Sequence, residues 1–365
     1  MNFDIEIPTE KEKKKKKQKN RLLILLSVFF LILTIILIII YIISLNKSAT
    51  PTTVPEPTVI EKEKKEIQII QEDSNERPIA IMIDNNIGDI KHAGLQNSYI
   101  NYEIIVEGGI TRIMALYKDA EVGIIGPVRS ARHYFLDYAL EHDAIFAHFG
   151  WSPKAESDIA ELNVKNINGM TDTKPFARDT QLPSPHNVFT STTKIRDYLD
   201  SKSYIKTSEQ WKLLNYSAEE IEFNKSSDGE TTKPNLSAAN KISIVYSNSQ
   251  NRGYTYDTVN KYYLRSQNGK AHLDRKTEAQ LHFKNIIIMK VENKTIDEEG
   301  RQDLTTIGTG TGYFITNGYA LPINWSKTSR TSKTKYTFED GTDIILNDGN
   351  TFIQIVPLTS NITIE

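Results

Sequence analysis

Apolar positions fall into three regimes along the chain. From Leu22 to Leu45 they run almost unbroken, interrupted only by Ser27, Thr34, Tyr41 and Ser44. About 20 apolar residues suffice to cross a bilayer, so 22–45 predicts a transmembrane helix. From Asn46 to Arg77 large apolar residues become sparse and Pro, Thr, Glu and Lys dominate, as in ATPTTVPEPTVIEKEKKE. Such a composition buries too little to fold and predicts a disordered linker over 46–77. Beyond Pro78 short apolar runs return with recognisable periods.

PIAIMID reads as a buried first strand, ended by the turn formers Asp84, Asn85 and Asn86. Tyr99 to Val106 alternates, and Gly108-Gly109 then suits a two-residue hairpin because both glycines accept positive φ. That register places Ile105 opposite Arg112, with Arg112 diagonal to Glu103 and Glu107 on one face as an acid-Arg-acid triplet. After the apolar run Val122 to Ile125, Gly126-Pro127 opens VRSARHYFLDYALEH, whose apolar spacing is helical with Pro127 at the first helical position. Arg129, Ser130 and Arg132 would then lie in the first turns, where free N–H groups and the helix dipole attract anions.

DAIFAHFGW predicts a further buried strand ending near His148, and Ser152-Pro153 caps the helix KAESDIAEL. From about Lys241 the pattern becomes short β-rich runs, with hairpin signals at Asn268-Gly269, Asn317-Gly318, Asp340-Gly341 and Asp348-Gly349. GTGTGYF leads into a strand and lacks the lysine and helix of a phosphate loop. The expected fold is therefore an α/β N-terminal domain, a mixed sheet with flanking helices, over 78–235. A smaller, mainly antiparallel β domain follows over 236–365, and one transmembrane helix precedes both.

Charge supplies the orientation. Residues 1–21 hold eight Lys and Arg against four Asp and Glu, a balance of +4, so with a net charge of -2 the remaining chain carries -6. The basic segment 1–21 is expected to be a cytoplasmic tail and the domains after the helix to be extracellular, by the positive-inside rule. The acidic remainder argues against nucleic acid as a partner, which needs a basic face. The chain contains no cysteine, so neither a disulfide nor a lipid-modified Cys is available.

Candidate chemistry concentrates where carboxylates, arginines and glycines crowd together: Asp84, Glu103, Glu107, Arg112, Arg129, Ser130, Arg132 and His148 are the candidate ligand-binding residues. Arginine at this density suits recognition of an anion, because a buried guanidinium must satisfy five donors. His186, in the proline-containing loop LPSPHNVF, could approach the same edge and ranks below His148. No GxSxG, HExxH, paired-histidine metal spacing or Walker loop occurs, so no catalytic residue, cofactor or resident metal is assigned. Trp325, Tyr313 and Phe314 offer a different working surface, in which the β-rich part contacts sugar rings or a partner.

The words RPIAIMIDN, YEIIVEGGITRIMALY, IGPVRSARHYF, DAIFAHFGWSP, GTGYFITNGYALPINWSK and DGTDIILNDGNTFIQIVP stand in an order that resembles the YerB-like lipoproteins of Gram-positive bacteria. That family is built from a two-part domain of unknown function. The resemblance covers Pro78 to the C-terminus and implies a cell-envelope protein facing outward, with no assigned catalytic residue. The absence of cysteine departs from the lipoprotein pattern and leaves anchoring to 22–45. The expected function is binding of an anionic wall precursor, glycopolymer or envelope protein through the Arg/Glu cluster. A fold-level similarity to the LytR-CpsA-Psr enzymes implies an alternative, transfer of a glycopolymer or phosphoryl group from a polyprenyl pyrophosphate, with Asp84 or Glu107 as base or Mg2+ ligand.

Overall fold

The computed structural model describes residues 10–47, 65–86, 88, 90–221, 223 and 235–365. Residues 1–63 and Lys64–Glu365 are separate compact units. In the first, α1 (Glu10–Lys47) contains a stretch, Lys13–Leu45, long and apolar enough to cross a membrane. Its leucines, isoleucines and phenylalanines are exposed, as bilayer contact requires.

The body is organised on one large mixed sheet. Its strands are β1 (Ile79–Asp84), β2 (Ile100–Ile105), β3 (Thr111–Tyr117), β4 (Ile145–His148) and β5 (Asn166–Asn168) from the N-terminal part. A second sheet contains β6 (Lys241–Ser247), β7 (Gln250–Asp257), β8 (Tyr262–Gln267) and β9 (Lys270–Ala271). The large sheet also takes β10 (Asn285–Val291), β11 (Gly308–Thr316), β12 (Tyr319–Lys327), β13 (Lys335–Phe338) and β14 (Thr351–Pro357), whereas β15 (Asn361–Ile364) pairs with β6. Among the described residues the large sheet runs β13-β12-β11-β10-β14-β2-β3-β1-β4-β5.

β1, β2, β3 and β14 are buried at every position, as strands covered on both faces must be. One face carries α2 (His133–Glu141) and α3 (Pro153–Glu161), and Tyr138 of α2 stacks on Tyr102 of β2 with ring centres 5.0 Å apart. Ser152 caps α3 with its side chain, and Pro153 opens the helix, as expected. The second sheet covers the other face, where the Tyr246 hydroxyl donates to Glu103 O at 3.0 Å. The α/β first part and the mainly antiparallel second part are thus present, and Asn268-Gly269 and Asn317-Gly318 make tight hairpins with both residues at positive φ.

Three expectations change. The division at 235/236 does not separate two bodies, because β14 lies between β10 and β2 and pairs with both in parallel. Residues 65–77 do not belong to the linker: Ile70 is buried, Ile67 and Ile69 pack on the core, and Glu76 bridges Thr207. Those three isoleucines supply apolar area that the surrounding Lys and Glu obscure; 48–64 lie outside the described residues. The helix expected from Pro127 starts only at His133, with Arg132 as its N-cap. Residues 128–131 are extended instead, since Val128 bridges Ile83 and Ala131 bridges Trp151.

Candidate functional site

The β2-β3 turn decides which side chains can meet. Val106 N donates to Ile110 O at 2.7 Å around a three-residue turn, Glu107–Gly109, in which both glycines take positive φ. The loop is one residue longer than the two-residue hairpin, so Arg112 lies opposite Ile104 and Glu103 lies opposite Ile113. A one-residue shift moves a side chain to the other face of a sheet. The expected triplet is therefore divided, with Glu103 on the face of the second sheet and Arg112 on the face of α2.

On the α2 face, Arg112 shares register with Asp84 of β1. The Arg112 guanidinium donates to Glu107 Oε1 at 2.9 Å and to Ser130 O at 2.8 Å, and Arg132 holds both oxygens of Glu107, with Nε 2.8 Å from Oε2. Burial would raise the Glu107 carboxyl, but the Arg132 hydrogen bonds and the charges of Arg112 and Arg132 hold it at about 2. Burial and the neighbouring Arg132 charge lower Arg112 to about 10, and it stays protonated at neutral pH.

Asp84 is almost fully buried, and its Oδ2 faces Arg129 Nε at 2.8 Å and His186 Nδ1 at 2.6 Å. His186, ranked second in sequence, joins the cluster because the loop around Pro185 returns to β1. His148, ranked first, does not. It is fully buried, its Nδ1 faces Gly150 O at 2.8 Å and its Nε2 faces Asn166 Oδ1 at 3.2 Å, and burial lowers it to about 4. A neutral ring with both nitrogens engaged is a packing residue.

Asp84, Glu107, Arg112, Arg129, Ser130 and Arg132 thus converge without the predicted helix, the last three on the extended segment that leads into α2. Glu107, Arg112 and Arg132 largely satisfy one another, but Arg129 does not close off. It borders a cavity of about 510 Å3 with Ser130, Phe149, Trp151, Met170 and Arg178. Met170 is 62 % exposed there. The Arg178 guanidinium lies 5.0 Å from the Phe149 ring centre and donates to Asn187 Oδ1 at 2.8 Å, with no carboxylate partner among the described residues. The Ser130 hydroxyl is spent on Phe149 O at 3.0 Å.

Glu103 lies fully buried on the opposite face among Arg252 Nε at 2.5 Å, Arg265 Nη2 at 2.6 Å, Thr111 Oγ1 at 2.7 Å, Asn85 Nδ2 at 2.8 Å and Gln354 Nε2 at 3.0 Å. It is removed from the set accessible to a ligand, and it ties β2 to β7, β8 and β14. Burial alone would raise its carboxyl, but the two arginines and the hydrogen bonds bring it down to about 2.

Trp325 and Phe314 are buried, and the Trp325 indole N–H donates to Lys290 O at 3.0 Å, so these two rings offer no sugar-binding face; Tyr313 is half-buried and packs on the core. Sequence reasoning passed over Arg178, Trp151, Arg252 and Arg265. For Arg252 and Arg265 the signal was present, since both occupy inward positions of alternating strands, where a charge requires a buried partner. No three His, Asp or Glu side chains among the described residues form a metal-binding group.

Two family descriptions match in tandem: "Protein of unknown function (DUF3048) N-terminal domain" over residues 66–205 and "Protein of unknown function (DUF3048) C-terminal domain" over residues 242–353. A Bacillus subtilis (strain 168) protein described as "Putative lipoprotein YerB" is 29 % identical over 288 residues, 79 % of this chain and 83 % of that protein. The crystal structure of YerB protein from Bacillus subtilis aligns with a TM-score of 0.67 at 28 % identity, covering 79 % of this chain and 94 % of that one.

Proposed function

The chain belongs to the two-part DUF3048 family, and from that premise we propose that it is an extracytoplasmic cell-envelope protein that binds an anionic, ring-bearing wall precursor or glycopolymer beside Arg129. It is held to the membrane by α1, with the basic tail in the cytoplasm. The observation that carries the reading is the cavity bordered by Arg129, Arg178 and Trp151. Two guanidiniums supply bidentate anion contacts, and an indole with a thioether supplies a face for an apolar ring surface. Across the α2-face cluster three arginines meet two carboxylates, so the cluster is net positive before Arg178 is counted.

The test is titration of the full chain in detergent micelles with muropeptides and teichoic acid fragments. Arg129→Ala with Arg178→Ala is expected to weaken binding at least tenfold, about 1.4 kcal/mol or more, with unchanged far-UV circular dichroism. Unaltered affinity would reject the site. Arg132→Ala is a poor probe, because it strips Glu107 of its principal partner.

Topology has its own test, made clean by the absence of native cysteine. A membrane-impermeant maleimide applied to intact cells should label a Ser329→Cys variant and spare Lys13→Cys; the reverse pattern would overturn the orientation.

One observation favours a second reading, transfer from a polyprenyl pyrophosphate. Asp84 orients His186 through Nδ1, and Pro185 beside it lines the same cavity, an arrangement suited to a general base. Turnover of a polyprenyl pyrophosphate mimic that disappears in His186→Ala would support it. No turnover with Mg2+ present would discard it.

A further inference from the structure

A larger cavity, about 660 Å3, opens between the segment around Lys91 and His92 and strands β7, β8 and β9. Arg252 forms part of its floor, and beneath it lies the Glu103 cluster. Glu103, Arg252 and Arg265 are each no more than 1 % exposed, so two guanidiniums share one carboxylate away from water. The neighbouring histidines do not alter that balance. Arginine can only donate, so His272 Nδ1, in contact with Arg265 Nη1, must accept. The His272 proton then sits on Nε2 and faces His92 Nδ1 at 2.7 Å, and the His92 proton sits on Nε2 and faces Asp84 O at 2.5 Å. Both rings are neutral, and burial lowers His92 to about 4 and His272 well below the ordinary value.

Among the described residues no second carboxylate pairs with Arg252 or Arg265, which leaves the cluster with one positive charge. Asp274, close to His272 in sequence, is committed to the backbone N–H groups of Gly94, Lys276 and Thr277. Asp84 turns its carboxylate to Arg129 and His186 on the other face. A buried charge without a counter-ion is costly, and an anion in the cavity would offset it. The walls add hydroxyl-binding groups, since the Gln250 and Asn268 amide nitrogens and the Gln267 amide oxygen take no partner among the described residues. Lys91, whose ammonium also pairs with Glu278 at 2.7 Å, and Lys270 line the same cavity.

We propose that this cavity is a second binding site, distinct from that beside Arg129, for a small hydroxylated oxyanion: a phosphorylated or carboxylated polyol whose charge meets Arg252, Lys91 and Lys270 and whose hydroxyls meet Gln250, Gln267 and Asn268. The experiment is calorimetric titration of the full chain in detergent micelles with glycerol 3-phosphate, glycerate, inorganic phosphate and glycerol. Glycerol 3-phosphate or glycerate is expected to bind and glycerol not to; which of the two binds more tightly identifies the oxyanion.

Lys91→Ala with Lys270→Ala, and separately Arg252→Gln, should each weaken binding at least tenfold, whereas Arg129→Ala should leave it unchanged. Circular dichroism establishes whether Arg252→Gln is folded, and if it is not, the double lysine variant decides alone. Absence of heat from every probe at about 10 mM, indifference to the lysine changes, or loss in Arg129→Ala would each overturn the assignment. Inorganic phosphate binding as tightly as glycerol 3-phosphate would overturn its polyol half.

Discussion

Glu103 accepts two arginines, two amides and a hydroxyl inside the body, and its replacement should be severe. Glu103→Gln leaves two buried guanidiniums without a carboxylate and is expected to cost about 3–5 kcal/mol, read from urea unfolding. Its folded pKa, about 2, lies below the ordinary 4.5. The stability it contributes is complete above pH 4.5 and is lost as pH falls toward 2, and acid titration of the variant should lack that loss. Histidine acts at higher pH. His92, His142 and His148 are lowered from 6.5 to about 4 by burial, so the unfolded chain takes up protons first as pH falls through that interval. The urea midpoint should therefore be lower at about pH 5 than at about pH 7.5; an equal midpoint would contradict the neutral, buried rings. At this scale the identities of Asp84, Glu107, Arg112, Arg129 and Arg132 were legible, because charge beside Gly and Pro stands out in an apolar strand pattern. The preference for His148 over His186 was not, since burial depends on which loop closes over which strand.

Elements were legible wherever a period ran long enough. Alternation marked β2, and Asn-Gly pairs marked the β8-β9 and β11-β12 hairpins. What escaped was phase: Glu107–Gly109 add a third residue to a turn that the glycines alone suggest has two, and the whole face assignment of Arg112 depends on that residue. The α2 start was misplaced because apolar spacing from Val128 suits a helix, while long-range bridges to Ile83 and Trp151 hold the segment extended. Packing between elements also fixes a glycine. A Cβ on Gly312 of β11 would lie 1.8 Å from Ile288 O of β10, so Gly312→Ala must pull these strands apart. A loss of about 3 kcal/mol or more is expected, seen as a lower urea midpoint; a neutral result would mean that β10 and β11 are not in the register described.

The molecule as a whole is less divisible than its two family matches suggest, because the strand next to β2 comes from near the C-terminus. Truncation after Asn235 should leave β2 with an unpaired apolar edge and yield a product without a cooperative unfolding transition, prone to aggregate on size exclusion. A soluble, cooperatively unfolding fragment would refute this. Composition predicted two successive domains because each stretch has its own texture, and no local pattern reports that β14 returns across the chain. The same return governs biogenesis. Gln354 and Glu103 touch across a separation of 251 residues; at roughly 5–20 residues per second, the ribosome needs on the order of 10–50 s to produce the second after the first. Throughout that interval the sheet lacks its middle, so the nascent body is a client for holding chaperones and a target for proteases until its last few dozen residues arrive.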